Sequence, residues 1–423
     1  MKIKKYESSF LSEAYYVGEM DNGLKIYVLE KAGYSSAYAV FGTKYGSVNV
    51  KFRTDKDADF IQVPAGIAHF LEHKLFESEE GDAFEKFART GAYANAYTSF
   101  DRTGYLFSCT DEFEANLTHL LSFVSDPYFT DETVAKEQGI IGQEIKMYDD
   151  SPDWRVFFNL LTSVYHNNPV RTDIAGTVES IAEITPQLLY DCYNTFYHPS
   201  NMFLCVAGNI KADQVFEIAE KCITTQGRQT IENYEPEEPE TVKDAYCVQQ
   251  LDVAKPLFAL GFKQDPAVAA NPKARVATEL LLEIMAGHSS DLYAKLVEEK
   301  LINPEFSFEH FTGRGYSVII FSGESSQPKA VAERIKQEVL RLKADGIDSA
   351  AFTRAKRKNF GQTVMMFNSV EGLSSALCEC AIRDEELFDF EEIYSAVEES
   401  DLMEALATMD IDRTSLSVVE PKE

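Results

Sequence analysis

The feature of this sequence that most narrows its possible folds is an order of elements that occurs twice. In the first half, strand signals at 24–29 and 37–50 precede short helical patterns at 67–76 and 82–89. A hairpin-like pair follows in ANAYTSFDRTGYLFSCT, then helical patterns at 112–124, 131–149, 154–165 and 185–197. An apolar run at 202–207 closes the half as a buried strand. From about 226 to 244 the texture turns polar and acidic with two prolines, as in an interdomain linker. The order then starts again: a strand at 256–262, helices at 273–286 and 290–300, and strands at 306–311 and 316–322. Helices at 328–345 and 349–366 and a strand in the closing SLSVVEPKE complete it. At 423 residues the chain is also too long for one hydrophobic core, which rarely grows past about 250–300 residues. These patterns predict an internal repeat, two α+β units of similar size. Residues 1–225 form the first, 226–244 the acidic linker and 245–423 the second.

Charge excludes some functions. Lys and Arg number 40 against 69 Asp and Glu, a net charge of −29. Such a chain repels nucleic acid and anionic membrane surfaces, while neutral or basic partners suit it. Seven irregularly spaced cysteines without a C-x-x-C pair give neither a disulfide framework nor a cysteine metal site, and they fit a reducing compartment. The N-terminal stretch lacks the apolar run of a signal peptide, and no run of about 18 apolar residues occurs. The expected location is the cytoplasm.

The chemistry concentrates in GIAHFLEHKLFES. His69 and His73 are four residues apart, so on a helix their rings leave one face, about 40° from each other. That spacing suits two nitrogen ligands on one metal ion, and Glu72 lies close enough to face the same ion. The order His-x-x-Glu-His is the inverse of the common metalloprotease motif. A hydrolytic zinc site takes three protein ligands and leaves a fourth position for water, whose pKa it lowers to about 7. A carboxylate must accept the water's proton and return it to the leaving amine; Glu72 is the candidate. The third ligand must come from elsewhere. The 131–149 helix offers Glu137 and Glu144, two turns apart on one face, and either could reach the metal. A solvated helix face can also carry such residues. Here, however, Ile67, Ala68, Phe70, Leu71, Leu75 and Phe76 make the helix apolar nearly all round, and buried His and Glu need partners.

These residues resemble the pitrilysin family of metallopeptidases, which includes insulin-degrading enzyme and the mitochondrial processing peptidase. The inverted motif and the downstream helix with its carboxylate pair carry the likeness. So do Gly91 with Asn95-Ala96-Tyr97-Thr98, His166 to Ile181, and Tyr197-His198-Pro199-Ser200-Asn201-Met202. The resemblance implies that Glu144 is the third ligand to Zn2+ and that Glu137 supports catalysis from behind the ligands. It implies substrate backbone laid against Asn95, Ala96 and Tyr97 by strand addition. It also implies an α+β fold of two homologous domains, each a mostly antiparallel sheet flanked by helices, forming one half of a clam-shell peptidase whose four domains enclose a chamber.

One departure is informative. Active relatives carry an arginine and a tyrosine in the second half of the chamber, and the matching stretch SSDLYAKLVEEKLINPEFSFEH contains no arginine. Tyr293 is too early, and Arg314 and Tyr316 are poor substitutes, two residues apart in a later strand. The implied function is a zinc endopeptidase cutting peptides or unfolded segments, completed by a homologous partner chain that supplies the pair in a heterodimer. A homodimer is the other assembly. The rival function, a silent binding or scaffold subunit, is disfavoured because His69, Glu72, His73 and Glu144 are all present. A structural zinc site is disfavoured because such sites are closed by four ligands.

Overall fold

Seven of the first-half strands assemble into one sheet, apart from a small three-stranded sheet of Lys51–Thr54, Ile61–Gln62 and Ile231–Asn233 and a two-stranded one of Glu77–Ser78 and Gly81–Asp82. The computed structural model, which describes residues 1–78 and 81–422, has β1 (Lys2–Ser8), β2 (Glu13–Glu19), β3 (Lys25–Glu30), β4 (Ala37–Thr43), β5 (Tyr93–Thr98), β6 (Thr103–Cys109) and β7 (Met202–Gly208). Their order is β1-β2-β3-β7-β4-β6-β5. Only β3 and β7 run parallel; the other neighbours are antiparallel. The sequence of β7, MFLCVAG, is apolar throughout, and every residue is buried, as expected of a central strand covered on both faces. The strand expected over 37–50 stops at Thr43. Beyond it the backbone turns to the β5–β6 hairpin, where Ser47 N–H donates to Ser99 O at 3.0 Å. Gly46 allows this approach, since a Cβ there would stand 2.5 Å from the Phe100 carbonyl carbon.

The second sheet has β8 (Tyr246–Leu251), β9 (Leu257–Lys263), β10 (Ser307–Gly313), β11 (Tyr316–Glu324) and β12 (Thr414–Pro421), in the order β8-β12-β9-β11-β10. Here β8 and β12 run parallel and the remaining neighbours antiparallel. Strand for strand, in order and direction, this is β3-β7-β4-β6-β5 again. The twofold element order of the sequence is therefore a repeat of topology. The fold is α+β, with two large, mostly antiparallel sheets flanked by helices.

Four helices carry the candidate site or cover the sheets behind it: α1 (Ile67–Leu75), α2 (Asp131–Asp149), α3 (Pro152–Val164) and α4 (Val370–Arg383). Contacts divide the chain into two units, and neither follows the chain continuously. One contains Met1–Gln143, Asp173–Tyr234 and Thr363–Asp389; the other contains Glu144–Thr172, Glu235–Gln362 and Phe390–Glu423. The short excursions carry α3 and α4. Although α3 is encoded in the first half, it packs on β9 and β12; α4, from the second half, packs on β4 and β7. Leu160 and Leu161 of α3 are fully buried, and each such leucine withdrawn from water contributes about 1.5–3 kcal/mol. On α4, Ser374 Oγ donates to Cys205 O of β7 at 3.2 Å. Glu379 holds Arg102, in the β5–β6 turn, at 2.6 Å.

The acidic stretch between the repeats is pinned rather than loose. Glu238 accepts backbone N–H bonds from His166, Asn167 and Asn168 at 2.7–2.8 Å and one from Lys263 Nζ at 2.6 Å. Burial opposes its ionisation, but Lys263 and the three amides outweigh it and hold the carboxyl below the ordinary glutamate range. Arg314 and Arg413 hold Glu235 and Glu240. Among the described residues, no helix is long and apolar enough to cross a membrane.

Candidate metal centre

The start of α1 is set by two glycines. Gly66 has φ 89° and Gly176 φ 76°, both in the left-handed region. A Cβ on Gly66 would meet Ala175 O at 2.4 Å, and one on Gly176 would meet Ala65 O at 2.5 Å. Ser180 Oγ also donates to Ala65 O at 2.8 Å. The 175–180 loop thus clamps the residues ahead of α1 and fixes where its side chains point. Ile67, Ala68, Phe70, Leu71 and Leu75 go into the core. His69 is buried, and Glu72 and His73 are half-buried.

The two rings leave one face as their spacing requires, with centroids 4.6 Å apart and planes inclined by 60°. Nδ1 of His73 lies 2.9 Å from Glu137 Oε1. A carboxylate on one ring nitrogen fixes the tautomer and turns the other nitrogen, Nε2, to a ligand role. Burial opposes the charge on Glu137, but the hydrogen bond and charge of His73, with Lys74 and Lys136, outweigh it and keep the carboxyl below the ordinary range. The second glutamate of α2 reaches the histidines: one ligand atom from each of His69, His73 and Glu144 lies within 4.8 Å of the others.

This donor set fits zinc. Two imidazoles and a carboxylate supply the three ligands of a hydrolytic site and leave a position open. Ligand atoms on a tetrahedral ion stand roughly 3.4 Å apart, so small side-chain adjustments close the cluster on one ion. Glu72 is held beside it by Thr98 at the end of β5, whose Oγ1 donates to Glu72 Oε2 at 2.7 Å. The strand expected to bind substrate therefore also orients the candidate base.

The three residues Asn95, Ala96 and Tyr97 lie on β5, the edge strand of its sheet. Asn95 Oδ1 accepts the backbone N–H of Ala96 at 2.9 Å, and the Tyr97 ring crosses Gly104, where a Cβ would stand 2.8 Å from it. The register pairs Tyr97 with Gly104 and leaves the backbone of Ala96 facing the open edge. Arg314 is in a surface ion pair with Glu235 at 2.8 Å. Tyr316 is buried and stacks on Phe311.

Two contacts at the site escape motif reading. Thr98 stands in the Asn95-Ala96-Tyr97-Thr98 segment, but nothing in that segment tells that its hydroxyl reaches Glu72. Tyr148 donates its hydroxyl to Glu144 Oε1 at 2.7 Å; its only sequence signal is a position one turn after Glu144.

Comparison with known proteins places these residues in context. Residues 62–178 match the family described as insulinase (peptidase family M16), and residues 183–359 match the peptidase M16 inactive domain. The chain is 40% identical to the uncharacterized zinc protease YmfH of Bacillus subtilis, over 99% of this chain and 100% of that one. An M16-like peptidase from Alicyclobacillus acidocaldarius superposes with a TM-score of 0.91 at 35% identity, covering 96% of this chain and 98% of its own. Pitrilysin shares the fold with a TM-score of 0.77 at 16% identity, and there 99% of this chain covers 46% of the longer one.

Proposed function

The chain belongs to peptidase family M16, and from that premise we propose that it is a zinc-dependent endopeptidase acting on peptides or unfolded segments. The observation that carries the proposal is the convergence of His69, His73 and Glu144 within 4.8 Å, with Glu72 oriented beside them by Thr98. Zinc, when bound, supplies a Lewis acid and lowers the pKa of bound water to about 7. His69, His73 through Nε2 and a Glu144 carboxylate oxygen would hold the ion. Glu137 holds the His73 ring through Nδ1. Glu72 takes a proton from the attacking water on a carboxylate oxygen and passes it to the leaving amine. A peptide laid antiparallel on β5 would take the Ala96 N–H from the Asn95 side chain and present its scissile bond beside Glu72. On the same reading, residues 1–225 are the zinc-bearing domain, 226–244 the joining stretch and 245–423 its homologue; the shared strand order supports this.

The second half-site is proposed to come from a homologous partner chain, in the cytoplasm. Two observations support it: the chain spans 46% of pitrilysin, and Arg314 and Tyr316 are engaged elsewhere. Removing one donor aimed at a developing oxyanion typically costs about 100- to 1000-fold. The purified chain is therefore expected to hold zinc yet hydrolyse a fluorogenic peptide poorly, with activity rising about 100-fold on mixing with a homologue that carries the pair. Sizing of the mixture should show a complex. Full activity from this chain alone, abolished by Arg314→Ala or Tyr316→Phe, would sink the two-chain reading.

A further inference from the structure

The connection between α2 and α3 is short, and this decides what surrounds Glu144. α2 ends at Asp149 and α3 begins at Pro152. Ser151 N–H donates to Tyr148 O at 3.1 Å, and Arg155 N–H donates to Ser151 O at 2.9 Å. The side chain of Arg155 reaches back to Asp149 at 3.4 Å. The first turn of α3 therefore folds onto the last turn of α2. Trp154, the one tryptophan of the chain, stacks on Tyr148 with centroids 4.6 Å apart and planes 16° from parallel. Phe158 backs Trp154 at 5.1 Å and is buried.

We propose that Tyr148 and Trp154 are positioning residues for the metal centre: the indole fixes the phenol, and the phenol hydroxyl fixes the rotation of the Glu144 carboxylate. The proposal rests on the zinc reading of that carboxylate. A glutamate side chain has three torsions, and holding it in one orientation costs entropy that a metal ion must otherwise offset. The i, i+4 spacing places Tyr148 over Glu144. The 2.7 Å bond favours the rotation of the carboxylate that accepts the phenol hydroxyl. Trp154 stands on α3, which is anchored to β9 and β12, so the orientation of a ligand is set by packing remote from the ion. Loss of partners behind metal ligands typically weakens metal affinity 10- to 100-fold. The same chain of contacts makes Trp154 a reporter, since reorientation of Glu144 around an ion moves the phenol stacked on the indole.

The test is a zinc titration of the metal-free full-length chain against a competing chelator, read by chelator absorbance and separately by tryptophan emission. Tyr148→Phe keeps the ring stacked and removes only the hydroxyl. It should weaken zinc binding by about 10-fold or more while the Tm of the metal-free protein stays at the wild-type value. Wild-type emission should change on zinc addition with the midpoint seen by the chelator, and Glu144→Gln should show no change at that midpoint. Trp154→Phe, which retains a stacking ring, should lose less affinity than Trp154→Ala. Wild-type affinity in Tyr148→Phe overturns the proposal while leaving the zinc reading intact. An affinity loss matched by a lower metal-free Tm also overturns it, because that is a folding effect. A wild-type chain that takes up no zinc overturns the zinc reading itself.

Discussion

Glu72→Gln should bind zinc in the wild-type amount and lose peptide hydrolysis by about 100-fold or more, in whichever assembly the wild type is active. The substitution preserves volume, and the amide oxygen can still accept the Thr98 hydroxyl that bonds Glu72 Oε2 at 2.7 Å. The contact between α1 and β5 therefore survives. What disappears is a carboxylate able to take the proton from water. KM should change little if, as proposed, the β5 edge holds the peptide. Zinc by elemental analysis and kcat by a fluorogenic peptide read the two halves of the expectation independently. If Glu72→Gln loses its zinc while Glu144→Gln keeps it, the roles assigned to the two glutamates are reversed.

His73→Ala should reduce bound zinc from one equivalent to background. Two ligands cannot hold the ion against water as three do. The change also leaves Glu137, buried and bonded to His73 Nδ1 at 2.9 Å, without its charge-assisted partner. Because zinc that binds only the folded chain stabilises it by mass action, about 2.7 kcal/mol at a hundredfold excess over Kd, the wild type should melt higher with zinc than with chelator. His73→Ala should melt at the same temperature in both. Equal zinc content in the wild type and His73→Ala would remove the metal assignment altogether.

How much the residues reveal depends on how local each signal is. The facing rings of His69 and His73 need only helical periodicity, so five letters suffice to show them. Periodicity leaves the choice between Glu137 and Glu144 open, because both lie on one face of α2. Deciding it takes the tertiary distance, which sets Glu137 on His73 Nδ1 and Glu144 among the ligand atoms. β1 and β2 are not legible as strands. In β1, KIKKYES is exposed along most of its length and carries no buried stripe; its pairing with β2 supplies the order. The acidic stretch at 226–244 resembles a free spacer by composition. Composition cannot show that Lys263 and three backbone amides wait for Glu238. The exchange of α3 and α4 leaves no local trace, because a helix has the same amphipathic pattern whichever sheet it covers.

That exchange bears on how the chain is made and how it breaks. As synthesis passes residue 235, the first sheet is complete in strands but lacks α4, which comes more than 130 residues later. At about 5–20 residues per second, the apolar surface over β4 and β7 waits roughly 7 to 30 seconds for its cover, an interval in which a chaperone would have a target. A nick within 226–244 of the finished protein should not release two folded halves. Each fragment would carry away the helix that shields the other's sheet, so the pieces should stay together until denaturant parts them. Once parted, they should refold only in each other's presence.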